Sequence, residues 1–129
     1  MSPAKTVVLS KNAPAPSPLM SQAIISNGVI YTSGSLGIDP KTGKFVEGDA
    51  ADRTAQALRN IEQILIAAGS NLGNALKVTI FLSSMEYYAQ MNEGYERIFG
   101  DLIKPCRTCV AVAKLPLDAE VEIELVASV

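Results

Sequence analysis

Near its C-terminus the chain runs Glu120-Val121-Glu122-Ile123-Glu124-Leu125, a strict alternation of carboxylate and aliphatic side chains. Only a β-strand sends successive side chains to opposite faces, so this run commits the chain to a sheet with one apolar face that must be covered. The run before it, Cys106–Ala113, alternates too, with Thr108, Val110 and Val112 against Arg107, Cys109, Ala111 and Ala113. With Lys114–Ala119 as the connection, the two are expected to close an antiparallel hairpin that sets Ala113 opposite Glu120. In that register the apolar residues of both strands lie under helices. The other face carries Arg107, the Cys109 thiol, two alanines and three glutamates.

The covering helices are legible in the periodicity. Ala51, Ala55, Leu58, Ile61, Leu65 and Ala68 recur at three- and four-residue steps within Asp49–Ala68, and Gly69 is a natural stop. Ser84 is placed to cap a second helix whose apolar stripe, Tyr88, Met91, Tyr95 and Ile98, reads as core and ends near Gly100. Upstream, Thr6–Leu9 reads as a short strand and Ala13–Pro18 as an extended, unpaired segment with alternate prolines. Asn27-Gly28 joins Gln22–Ser26 to Val29–Ser33 as a tight hairpin. A loop then runs from Ser33 through Asp39-Pro40-Lys41-Thr42-Gly43, and Lys77–Leu82 is strand-like. The expected order is β-ββ-α-β-α-ββ, an α+β sheet with helices on one face, forming one domain over residues 1–129.

Composition removes whole classes of chemistry. The 129 residues include no histidine, which excludes histidine-based triads, histidine-liganded zinc and imidazole acid–base work. Eleven Lys and Arg against thirteen Asp and Glu give a net charge of −2, with no basic excess for gripping nucleic acid. Cys106 and Cys109 have C-x-x-C spacing, but they lie in a strand-like run without the helix N-terminus that lowers a redox thiol's pKa. They read as two reduced thiols. No apolar run approaches the roughly 18 residues a membrane helix needs. The first eleven residues resemble no targeting segment. The expectation is a cytoplasmic protein, with mitochondrion and cytosol undecided.

Chemistry therefore has to come from carboxylates, arginine, thiol, hydroxyl and backbone groups. Arg107 offers a bidentate fork for a carboxylate or phosphate, or else a structural salt bridge to Glu124; the pattern leaves both open. Alanines beside ionised groups make a poor solvated face, which suggests that a partner chain or a ligand packs there. Gly34 after Ser33 would let a backbone N–H approach an anion, although a plain turn glycine explains it equally.

The segment from Lys104 to Ala127 closely resembles the C-terminal signature of the RidA (YjgF) family of reactive-intermediate deaminases. Asn12-Ala13-Pro14, Tyr31-Thr32-Ser33-Gly34, Asp39–Gly43, Ala67-Ala68-Gly69, Lys77–Phe81 and Met91–Tyr95 extend the likeness in order over nearly the whole chain. The resemblance implies a chorismate-mutase-like α+β fold, assembled as a homotrimer around a central barrel with a ligand cleft at each subunit interface. It implies hydrolysis of 2-imino and enamine acids, such as 2-aminoacrylate and 2-iminobutyrate, to 2-keto acids and ammonia, without metal or cofactor. By the same likeness Arg107 grips the substrate carboxylate and Glu122 attends the hydrolytic water. Cys109 lines the cleft largely through its backbone, Ser33 and Gly34 form its other side, and Asn92 completes it.

The chain departs from the family pattern at Met20, where many members carry tyrosine, and at Thr108 and Cys106, where smaller residues are common. Loss of that tyrosine hydroxyl bears on substrate range and rate. Two rival functions accompany the resemblance. One is an endoribonuclease that inhibits translation, which the acidic, histidine-free composition disfavours. The other is a non-catalytic, chaperone-like or ligand-binding trimer, which the presence of Arg107 disfavours.

Overall fold

A computed structural model of the chain describes residues 4–129. Its strands are β1 (Thr6–Val8), β2 (Ala23–Ser26), β3 (Val29–Thr32), β4 (Ala75–Leu82), β5 (Cys106–Ala111) and β6 (Val121–Ser128). Two helices, α1 (Ala50–Ala67) and α2 (Tyr88–Phe99), complete an α+β fold in the expected element order. The strands form one mixed sheet in the order β1-β2-β3-β6-β4-β5.

Local chemistry explains most boundaries. Asn27 and Gly28 both take positive φ, 53° and 77°, so the β2–β3 turn matches the right-handed twist of its strands. Asp49 accepts hydrogen bonds from the Ala51 and Asp52 amides while the Asp52 carboxylate accepts from the Asp49 amide, a capping box that starts α1. Ser84 caps a single 3-10 turn, Met85–Tyr87, so α2 proper begins later than expected. Met91, Tyr95 and Phe99 are buried along α2, whereas Tyr88 is 39% exposed and lies outside the core.

The core lies between the sheet and the helices. Leu58, Ile61 and Leu65 of α1 meet Ile30 of β3, Val78, Ile80 and Leu82 of β4, and Val121, Ile123 and Leu125 of β6. Burial of a side chain of this size contributes about 1.5–3 kcal/mol each, which drives the layering.

The C-terminal hairpin does not form. β5 pairs parallel to β4, Arg107 opposite Val78, and β6 pairs antiparallel to the other side of β4, Glu122 opposite Phe81. The cause is α2, which links β4 to β5 as a crossover helix and so returns the chain in the same direction. The connection from β5 to β6 then arches over the end of β4. There the Val112 amide donates to Leu82 O and the Ser83 amide to Glu120 O. Leu117 and Asp118 at φ 57° and 56° turn the arch, and buried Leu115 and Ala119 anchor it.

This register overturns the expected composition of the two faces. Arg107, Cys109 and Ala111 align with Val78, Ile80 and Leu82, so they lie on the helix-covered face. Glu122 and Glu124 share the opposite face with Thr79, Phe81, Thr108 and Val110. Glu120 precedes β6 and ion-pairs with Arg53 of α1 at 2.7 Å, away from the other two glutamates. Ala113 lies beyond the end of β5. The alternative Arg107–Glu124 salt bridge is therefore ruled out by geometry. The open face carries exposed Val7, Tyr31 and Val110 rather than a row of alanines.

Candidate active site on two faces of the sheet

On the helix-covered side, Arg107 projects from the edge strand β5 against α2. Its Nη1 donates to Asn92 Oδ1 at 2.8 Å and its Nη2 to Tyr88 Oη at 3.2 Å. The guanidinium carbon stands 4.9 Å from the Tyr95 ring centroid, and Tyr95 stacks on Phe99 at 4.7 Å. Aromatic faces favour a cation, and the stack holds the ring in place. Among the described residues Arg107 pairs with no carboxylate. It is a fixed, half-buried cation with donors to spare, the arrangement a carboxylate ligand needs.

Cys109 follows two residues later on the same face. Burial pushes its thiol pKa up, with Arg107 only partly offsetting the effect. The thiol is therefore protonated near neutrality and poorly suited to nucleophilic work. Cys106 points to the other face, so the C-x-x-C pair cannot close on itself, and both cysteines are free. Asn92 was expected to complete a pocket by resemblance; the structure makes it the orienting partner of Arg107.

Glu122 leaves the opposite face and, with Ser33 and Gly34, lines a cleft of about 310 Å³ that extends past the loop after β3 to Asn60 and Ile64 of α1. The Ser35 amide donates to Ile123 O at 2.7 Å and the Ile123 amide to Ser35 O at 3.0 Å, so this loop is stitched to β6 beyond the end of β3. That stitching brings Gly34 against Glu122: a Cβ on Gly34 would stand 2.7 Å from Glu122 Oε2. Glycine here is the space the carboxylate occupies. Ser33 donates its hydroxyl to Ser21 O at 2.7 Å, tying the loop to the N-terminal segment. Burial first, and the neighbouring Glu124 charge second, hold the Glu122 carboxyl above its ordinary pKa. It has no cationic partner among the described residues, and a carboxylate raised in this way is suited to exchange protons with water.

The six expected site residues thus fall into two groups. Arg107, Asn92 and Cys109 form one; Glu122, Ser33 and Gly34 form the other. β5 and β6 lie two strand spacings apart, roughly 9.6 Å, and Arg107 and Glu122 differ by three register positions, roughly 10 Å more. Their side chains leave opposite faces of the sheet, so one protomer does not bring them together. Tyr88 and Tyr95, read from sequence as core, belong to the Arg107 group. Their spacing with Asn92, four then three residues, places all three on one helical stripe and was the available signal. Among the described residues no three His, Cys, Asp or Glu side chains converge to hold a metal, and no helix is long and apolar enough to cross a membrane.

Residues 10–129 match the family model described as Endoribonuclease L-PSP. A RutC family protein of Pyrococcus horikoshii is 46% identical over 123 residues, which cover 95% of this chain and 97% of that protein. The chain belongs to the RidA (YjgF) family. The family includes reactive-intermediate deaminases. The Arabidopsis thaliana protein named Reactive Intermediate Deaminase A, chloroplastic, is 40% identical over 124 residues, 96% of this chain and 66% of its own length. A solved Rid-family structure of unknown function from Yersinia pestis superposes with a TM-score of 0.93 at 42% identity, covering 98% of this chain and all of that one. The mixed sheet with two helices is thus a family architecture.

Proposed function

We propose that this protein hydrolyses 2-imino acids to 2-keto acids and ammonia, in a homotrimer whose sites lie between copies, with no metal or cofactor. The observation that carries this reading is the pair of unmatched charges. A guanidinium without a carboxylate and a carboxylate without a cation sit on diverging faces, and contact between copies would let each serve one ligand. The exposed apolar residues of the open sheet face support such packing.

In this mechanism Arg107 of one copy binds the substrate carboxylate. Glu122 of the next copy accepts a proton from water as the water oxygen bonds to the imine carbon and the C=N electron pair moves to nitrogen. That proton passes from Glu122 to the nitrogen, giving a neutral carbinolamine. Glu122 then takes the carbinolamine hydroxyl proton and delivers it to the same nitrogen as the C=O bond forms and the C–N bond breaks, so the nitrogen leaves as ammonia. Imines are electrophilic already, so positioning and one proton shuttle are sufficient catalysis. The reactive 2-aminoacrylate, through its imine tautomer 2-iminopropanoate, and 2-iminobutyrate are small substrates that fit this scheme.

The test is complementation. Arg107→Ala and Glu122→Gln chains are each expected to be inactive on freshly generated 2-iminobutyrate, with ammonia release as the readout. Refolded together in equal amounts, they should recover roughly a quarter of wild-type activity, because one interface in four joins an intact Arg107 to an intact Glu122. No recovery from properly mixed oligomers would place the site within one copy or nowhere. The family description supports a second reading, RNA cleavage by the same groups. Loss of nuclease activity in both single variants, with imine hydrolysis absent from the wild type, would favour it.

A further inference from the structure

We infer that the cleft behind Glu122 is a side-chain pocket that selects 2-imino acids with long or branched aliphatic side chains over the smallest ones. This rests on the hydrolytic role proposed for Glu122, and it assigns the substrate class. The walls are hydrocarbon: Pro14, Pro16, Met20, Leu36, Ile38 and Ile64 line the space beside the carboxylate.

Three of the polar side chains on those walls, Gln22, Asn60 and Ser33, are engaged elsewhere. Gln22 is buried, accepts from the Ser10 amide at 2.6 Å and donates to Ser10 O and Pro14 O at 3.1 and 2.9 Å. Asn60, also buried, donates to Leu36 O and Ile38 O at 3.2 and 2.8 Å and accepts from Gln56 at 2.9 Å. Ser33 gives its hydroxyl hydrogen to Ser21 O. These bonds staple the proline-rich segment and the Leu36–Ile38 loop in place, so the space between them is preformed. None of those groups is free to reward a polar ligand, and an unmet polar group brought there would lose its water.

Glu122 is the one charged side chain lining the cleft, which penalises an anionic side chain. At about 310 Å³ the space exceeds what the ethyl group of 2-iminobutyrate fills. Met20, 47% exposed, forms the outer wall; its unbranched thioether adapts to side chains of differing shape in a way a tyrosine ring does not.

The experiment compares imines generated in place by an amino-acid oxidase from leucine, methionine, alanine and glutamate. It measures kcat/KM for wild type, Met20→Ser and Ala15→Asp, the last adding a carboxylate to an exposed position of the wall. Calorimetry with 4-methyl-2-oxopentanoate and pyruvate, stable keto-acid counterparts, reads the pocket without turnover. The wild type should favour the leucine imine over the alanine imine by about ten-fold or more, since each buried methylene is worth several-fold. It should act least on the glutamate imine and bind 4-methyl-2-oxopentanoate tighter by a similar factor. Ala15→Asp should bring the leucine-to-alanine ratio near one, and Met20→Ser should reduce it by about three-fold. A flat or small-first order in the wild type, or variants that scale all substrates equally, would overturn the pocket even if hydrolysis stands. Side-chain-selective binding without turnover would overturn hydrolysis and keep the pocket. Neither binding nor turnover would remove both.

Discussion

The two halves of the candidate site are built in opposite ways. Arg107 is held by what touches it: Asn92 Oδ1 and Tyr88 Oη accept its hydrogen bonds, and the Tyr95 ring supports its face. Glu122 is held by what is missing: the absent side chain of Gly34 leaves room for its carboxylate, and burial rather than a partner sets its proton affinity. A cation that binds substrate benefits from fixed direction, because a bidentate ion pair loses strength quickly with misalignment. A base that activates water benefits from a raised pKa, which a counter-ion would abolish. The Arg107 half should therefore fail when partners are removed, and the Glu122 half when atoms are added.

Removing the cation itself should have the largest effect. Arg107→Ala is expected to lower kcat/KM for 2-iminobutyrate by about 10³-fold, the loss of two charge-assisted hydrogen bonds, with circular dichroism unchanged because the residue sits half-exposed on an edge strand. Retained activity in a folded variant would mean that the Arg107 half takes no part. The matching test on the other half adds one carbon. Gly34→Ala forces a Cβ onto the Glu122 carboxylate, and a displacement near 1 Å should lower kcat by about 10²-fold while leaving KM close to wild type. An unchanged kcat would show that the void is incidental.

The contrast between the halves also explains what the sequence revealed and what it hid. Period-two alternation in 121–125, the Asn27-Gly28 turn and the stripe from Ala51 to Ala68 each encode a local geometry, and the structure follows all three. The likeness to a known family marked the residues of both halves by position. What alternation cannot encode is which strand lies beside which. The intervening helix α2 makes β5 parallel to β4, and β6 enters on the far side, so Arg107 and Glu122 moved to opposite faces although each strand was placed correctly. Glu120 was misplaced for a related reason: its partner Arg53 is on α1, 67 positions away, and no local pattern links them. Tyr88 looked like core because its spacing fits the apolar stripe, but the sheet ends at β5 and leaves its ring at the rim.

A subtler effect tests whether burial and charge act on Glu122 as described. Its raised pKa means that the basic form is lost as pH falls through a value above the ordinary glutamate range, so the acid limb of kcat/KM should lie higher than for a solvated carboxylate. Glu124→Gln removes the repulsive neighbour and should move that limb to lower pH, by less than about one unit because Glu124 is exposed and screened. At pH values on the limb the variant is then several-fold faster than the wild type, and the gain shrinks with added salt. Stability carries the matching sign. A carboxyl with a raised folded pKa binds more protons folded than unfolded, so stability falls as pH rises from the ordinary value through the raised one. Glu122→Gln should abolish that fall and raise the urea midpoint at neutral pH slightly, even as activity is lost.

The smallest expected effect probes the partner-held half at a single oxygen. Tyr88 Oη accepts from Arg107 Nη2, which leaves its own hydrogen available to another acceptor such as a bound carboxylate. Tyr88→Phe keeps the ring beside Arg107 and deletes only that hydroxyl. One net hydrogen bond corresponds to a rise in KM of about three- to ten-fold, with kcat nearly constant, because the bond exists before and throughout the chemical step. Tyr88→Leu, which also removes the aromatic face 5.8 Å from the guanidinium carbon, should cost more than Phe. A fall in kcat instead of a rise in KM would move the Tyr88 hydroxyl from binding into proton transfer. Identical kinetics in all three proteins would leave Asn92 and Tyr95 as the groups that orient Arg107, and the two halves would then differ less than their geometry indicates.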